Sequence, residues 1–154
     1  MDASNELIFK RSTRKFVGMP LSLIWHGYGS AIFLEFGNLT QPKKLLKSGK
    51  PRNPCGEMGL MIEWSWRIEG KKTIFCGSWS ENINWQRVNS VLIGQKIVEL
   101  SVFGHLPEVE VKFENGTRFL SFMTERAHPM WSLFDRTGDK PSNIYSEHGR
   151  LKFG

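Results

Sequence analysis

Apolar and polar side chains alternate most regularly across residues 60–69, with Leu60, Ile62, Trp64, Trp66 and Ile68 on one face and Met61, Glu63, Ser65, Arg67 and Glu69 on the other. A period of two marks a strand with one buried face, so this stretch predicts one continuous amphipathic strand. Gly70-Lys71-Lys72 supplies a turn, and residues 73–79 return as its antiparallel partner. Upstream, residues 21–25 and 31–36 are strand-like and flank His26-Gly27-Tyr28-Gly29-Ser30, whose glycines suit a tight reversal. Downstream, residues 97–103, 108–113, 118–123 and 130–134 repeat the scheme. Asn115-Gly116 is a strong hairpin signal between two of these strands, and residues 144–146 and 150–153 close the chain as a hairpin around His148-Gly149.

Two segments predict helices instead. Residues 4–16 end on Arg14 and Lys15, which favour a helix C-terminus, with Gly18 following. Residues 79–91 begin near Ser78 and Glu81 at capping-box spacing and place Trp85, Val88 and Leu92 on one face. Residues 37–59 are rich in Gly, Pro, Lys and Asn and read as a long loop, and a loop of that length in a small domain is either mobile or functional.

Shifting the chain by about 76 residues aligns two stretches, the kind of self-similarity that marks a repeat. Leu7, Phe9, Arg11, Phe16, Val17, Gly18 and Leu21 fall opposite Ile83, Trp85, Arg87, Leu92, Ile93, Gly94 and Ile97. After a one-residue slip, Ile32, Leu34 and Phe36 fall opposite Val109, Val111 and Phe113. The pattern predicts a mainly β chain: about ten short strands and one or two short helices, in an antiparallel sheet forming a barrel or sandwich from two duplicated halves. The 154 residues fit a single domain, residues 1–154, with the repeat at about 4–79 and 80–154.

Composition narrows the class. Hydrophobic residues at 40% and charged residues at 23% are ordinary for a soluble protein. No apolar run approaches the roughly 18 residues of a membrane-spanning helix. The short apolar stretch at residues 7–9 lacks the centre of a secretory signal, and two unpaired cysteines, Cys55 and Cys76, suit a reducing compartment, so a cytoplasmic protein is expected.

No pattern of residues announces catalysis. The four histidines, His26, His105, His128 and His148, fall at turns without metal-ligand spacing, and neither a GxSxG elbow nor a phosphate loop is present. Neither a metal nor a cofactor is expected, and the protein reads as a binding protein rather than an enzyme. A polar cluster of His26, Glu35, Glu63, Arg67 and His105 is the one arrangement that could convert this reading, if its carboxylates converged on a cleft.

Three binding modes follow. In the leading one, a protein partner is engaged through a sheet edge and the basic loop at 38–59, with Lys43, Lys44, Lys47, Lys50 and Arg52. In the second, a small apolar ligand is carried or sensed between the two halves, bounded by aromatic residues drawn from Trp25, Tyr28, Trp64, Trp66 and Trp79. The third is single-stranded nucleic acid, which the formal charge of +6 permits but which lacks an RNP-type motif and sets its best-spaced aromatics on the face read as buried.

Overall fold

The computed structural model describes residues 3–126 and 128–154. The chain opens with helix α1 (Ala3–Thr13), continued by a 3-10 turn over Arg14–Phe16. Strands β1 (Leu21–His26), β2 (Ile32–Phe36), β3 (Met58–Ile62), β4 (Trp66–Glu69) and β5 (Ile74–Gly77) follow. After helix α2 (Trp85–Leu92) come β6 (Ile97–Phe103), β7 (Glu108–Phe113), β8 (Arg118–Ser121), β9 (Trp131–Asp135), β10 (Ser142–Glu147) and β11 (Arg150–Phe153).

These strands form two antiparallel sheets, six strands in the order β1-β2-β3-β9-β10-β11 and five in the order β5-β4-β8-β7-β6. Each sheet is therefore built by both ends of the chain. The first part lays down three strands, crosses between β3 and β4, and finishes in the other sheet; the second part does the same between β8 and β9. The crossings run side by side, with the Glu63 N–H donating to Met130 O at 2.8 Å and the Phe122 N–H to Ser65 O at 2.9 Å. At the opposite edge a bridge between Pro20 and Lys96 joins the starts of β1 and β6, supported by Gly18 N–H to Ile97 O and Leu21 N–H to Gln95 O.

A barrel is not formed. The sheets stay open, because β5 and β11 each pair with one neighbour only. The expected continuous strand over 60–69 is also broken. Trp64 takes φ +58°, and the Ser65 N–H closes onto Glu63 O at 2.7 Å, a γ-turn that redirects the chain from one sheet to the other.

The second helix starts later than its pattern suggested. Ser78 does not cap it, because its hydroxyl accepts the Trp66 N–H and its own N–H donates to Trp66 O, extending the β4–β5 ladder. Asn84 caps instead, its side-chain oxygen accepting the Arg87 N–H at 3.0 Å. The first helix is anchored chiefly by Phe9, whose buried ring meets Trp131 edge-on at 6.1 Å. Burying that ring contributes on the order of 2 kcal/mol.

One hydrophobic cluster draws on both sheets and both helices, including Phe9, Leu34, Phe36, Leu60, Val88, Val111, Phe113, Phe119 and Trp131. Phe36 of β2 and Phe113 of β7 stack across it at 6.3 Å. The outer side of the five-stranded sheet carries an ion-pair ladder instead, in which Arg118 joins Glu69 and Glu110, and Lys112 joins Glu99 and Glu110. No helix among the described residues is long and apolar enough to cross a membrane.

Candidate functional site

Pairing of β1, β2 and β3 sets Ile32 opposite both His26 and Ile62, so the β1–β2 hairpin tip and the β3–β4 turn emerge at the same end of the six-stranded sheet. Between them lies a pocket of ≈ 230 Å³ walled by Trp25, Gly27, Tyr28, Ser30, Ala31, Phe33, Glu63 and Trp64. Its walls are mainly carbon.

The hairpin tip is held in shape by its own backbone. Gly27 N–H donates to Ala31 O at 2.9 Å, and Gly29 adopts φ +64°, which glycine takes without penalty. A methyl group at Gly27 would stand 2.9 Å from the Phe33 ring, so that position must stay bare for Phe33 to lie where it does. Phe33 in turn stacks flat on Trp25, ring centroids 3.7 Å apart and planes within 5°. The tip is then latched to the crossing turn. Ser30 Oγ donates to Trp64 O at 2.6 Å, and the indole N–H of buried Trp66 donates to Ser30 O at 2.8 Å.

This latch sustains an unfavourable backbone. A non-glycine residue in the left-handed region costs roughly 1–2 kcal/mol. Here that residue is a tryptophan, 38% exposed and facing a tyrosine, Tyr28, that is 97% exposed. Large rings left this open are not serving the core. Among the side chains of its walls one is charged, the Glu63 carboxylate, which lies 3.6 Å from His128 Nε2.

Of the five aromatic residues singled out from sequence, the structure therefore gathers Trp25, Tyr28 and Trp64 at one surface pocket. Trp66 is buried behind it, against Phe119 and Trp85. Trp79 projects outward, 74% exposed, with its indole N–H donating to Ser65 Oγ at 3.3 Å.

The polar cluster does not assemble. Glu35 faces Gly59 across the β2–β3 ladder, whereas Glu63 lies four residues further along, about 13 Å away at strand spacing. Nor is Glu35 on an outward polar face: it is 1% exposed and accepts hydrogen bonds from Gly56 N–H at 2.8 Å and Arg136 at 2.9 Å. Arg67 belongs to the other sheet, paired with Glu69 and resting over the Phe122 ring at 4.3 Å. His26 packs on Trp85 at 3.9 Å, and burial pushes its pKa below the ordinary imidazole value. His105 sits in the β6–β7 turn, on the other sheet.

The 38–59 loop is shaped rather than featureless. Thr40 and Cys55 pair through two backbone hydrogen bonds, and Gln41 Nε2 donates to Arg52 O at 2.7 Å. Its root is clamped by Arg136, which donates to both Glu35 and Gly56 O, while Glu57 Oε2 accepts the Asn38 N–H. Beyond that root, residues 38–56 hold Lys43, Lys44, Lys47, Lys50 and Arg52 and no acid. All five cations are exposed, as are Leu45 and Leu46 between them. No ion pair engages any of the five among the described residues.

Sequence reasoning did not find Arg136 or the pocket walls Phe33 and Ser30. Ser30 was legible only as a turn residue, and its tie to Trp64 depends on the chain reversing direction there. No protein-family model, no curated protein and no solved structure matches the chain.

Proposed function

We propose that the protein is a non-catalytic, cytoplasmic binding module that engages an acidic surface of a protein partner through the 38–59 loop and the neighbouring edge strand β1. The observation that carries this reading is the contrast within the loop. Its root is fixed by the Glu35–Arg136–Gly56 clamp and the Thr40–Cys55 bridge, while its rim leaves five cations and two leucines without partners among the described residues. Cations held on an anchored loop attract an opposite surface over several ångströms and cost less to order on contact. The exposed leucines add an apolar centre to that charge.

The same reading takes the two parts of the chain as duplicated copies arranged sandwich-like, of which only the first acquired the long loop. In support, Gly18 and Gly94 both take positive φ after a helix, at +90° and +86°, at matching points of the repeat. Single-stranded nucleic acid is a weaker reading for this surface, because the loop itself carries no aromatic ring on which a base could stack.

The test is to replace residues 41–54 by Asn-Gly, which spans the already bridged Thr40 and Cys55 without disturbing the root. The shortened protein should keep its circular dichroism and melting temperature but lose retention on immobilised polyglutamate and its co-purifying proteins. Unchanged retention on polyglutamate, or preference for a single-stranded oligonucleotide over it, refutes the proposal.

A further inference from the structure

We propose that the pocket between the hairpin tip and the β3–β4 turn is a second contact site, which receives a lysine side chain of the partner protein. The inference rests on the reading of the chain as a protein-binding module but uses a different surface. The loop leaves the sheet beyond Phe36 of β2, whereas the pocket lies beyond Ile32 at the other end of that strand, about 13 Å away at strand spacing.

The pocket's chemistry selects its occupant. A sugar or a nucleobase needs several directed donors and acceptors, and with Ser30 Oγ spent on Trp64 O the side chains here offer the Glu63 carboxylate, the Tyr28 hydroxyl and the Trp64 indole N–H, of which only Glu63 is charged. What fits carbon walls with one anionic group at their margin is an alkyl chain ending in a single positive charge. Aromatic faces attract such a charge through their quadrupole, and Trp25, Tyr28, Phe33 and Trp64 supply four rings around ≈ 230 Å³. A guanidinium would bring five donors to one carboxylate and leave most of them unmatched; an ammonium brings three on a narrower stem.

A lysine within a chain fits better than a free amine. The basic loop already holds the partner chain, so a lysine within that chain reaches the pocket at a high effective concentration that a free amine lacks. Retaining the strained Trp64 conformation is consistent with a site maintained for binding, because strain of this kind persists only where the surroundings enforce it.

The experiment titrates the full chain with the blocked peptide acetyl-Gly-Lys-Gly-amide, following the indole N–H signals by NMR. It is run at about pH 8. The Trp25 and Trp64 signals should shift and saturate at roughly millimolar peptide, the range expected of a few cation–π contacts. The same peptide with Nε-acetyl-lysine should bind at least about tenfold more weakly. Glu63→Gln and Tyr28→Ala should each weaken binding about fivefold or more, and Tyr28 is exposed enough for its removal to leave the fold intact.

Equal binding of the acetylated peptide, or an unchanged affinity in Glu63→Gln, overturns the proposal. Tetramethylammonium alone binding as tightly as the peptide overturns the assignment to a lysine in a chain. The loop-shortened protein should titrate like the wild type, so failure of the loop reading and failure of this one are separable.

Discussion

Replacing Glu35 by glutamine tests the clamp at the root of the basic loop. In the native protein the Glu35 side chain is 2% exposed and accepts from the Gly56 N–H and from Arg136. Removing one partner of a fully buried ion pair costs about 3–5 kcal/mol, because the other charge is stranded. Arg136 is 29% exposed and keeps its bond to Gly56 O, so part of its charge returns to water, and because both bonds to Glu35 end on Oε2, a glutamine oxygen in that place can still accept them. The expected loss is therefore nearer 2 kcal/mol. In a chain of this size that lowers the melting temperature by about 4–8 °C. Urea denaturation should show a lower midpoint with an unchanged slope. Combining Glu35→Gln with Arg136→Met should cost less than the sum of the two single changes, since each removes the same pair. A loss below about 0.5 kcal/mol in Glu35→Gln would mean that the pair is solvated and the loop root is not clamped by it.

Two further outcomes follow from backbone and charge. At most sites glycine is less stable than alanine, but at Trp64, with φ +58°, Trp64→Gly should be more stable than Trp64→Ala by about 1 kcal/mol in urea denaturation, and the usual order would refute the strained turn. Asp135 is subject to burial, which raises its pKa, but the ammonium of Lys15 and the hydroxyl and amide of Thr137 together outweigh it and hold the carboxyl below its ordinary value. The unfolded chain then takes up the proton first as pH falls. The stability from this pair is complete above about pH 4 and is lost as pH drops through the depressed native value, so Asp135→Asn should flatten the acid limb of the urea midpoint, and an unaltered limb would refute the link.

Most elements of the fold could be read in the alternation of side chains, and the failures share a cause. Leu60, Ile62, Trp66 and Ile68 are all buried, so the alternation keeps its phase on both sides of Trp64 and hides the crossing between them. Only the backbone angle of one residue reveals it, and a tryptophan does not advertise a left-handed turn as a glycine would. Glu35 misled for a different reason. A polar residue in a half-apolar strand reads as solvent-facing, but its counter-charge Arg136 lies 101 residues away and only the β3–β9 pairing brings it there. In the pocket, the glycine turn and its aromatic neighbour were visible along the chain. Their meeting with Trp64 was not, because it depends on the register that aligns Ile32 with Ile62.

The crossing of the chain between sheets also governs how the protein can assemble. Because β3 pairs with β9 and β4 with β8, neither the first five strands nor the last six own a complete sheet. An isolated amino-terminal fragment would present β3 and β4 as unpaired edges, the kind of surface that recruits another chain. Folding must therefore wait for contacts between distant parts of the sequence, which makes it slow for a chain of this length and all-or-none once begun. The arrangement also invites exchange: two molecules that opened at the residue 78–84 connection could each complete the other's sheets with the same hydrogen bonds.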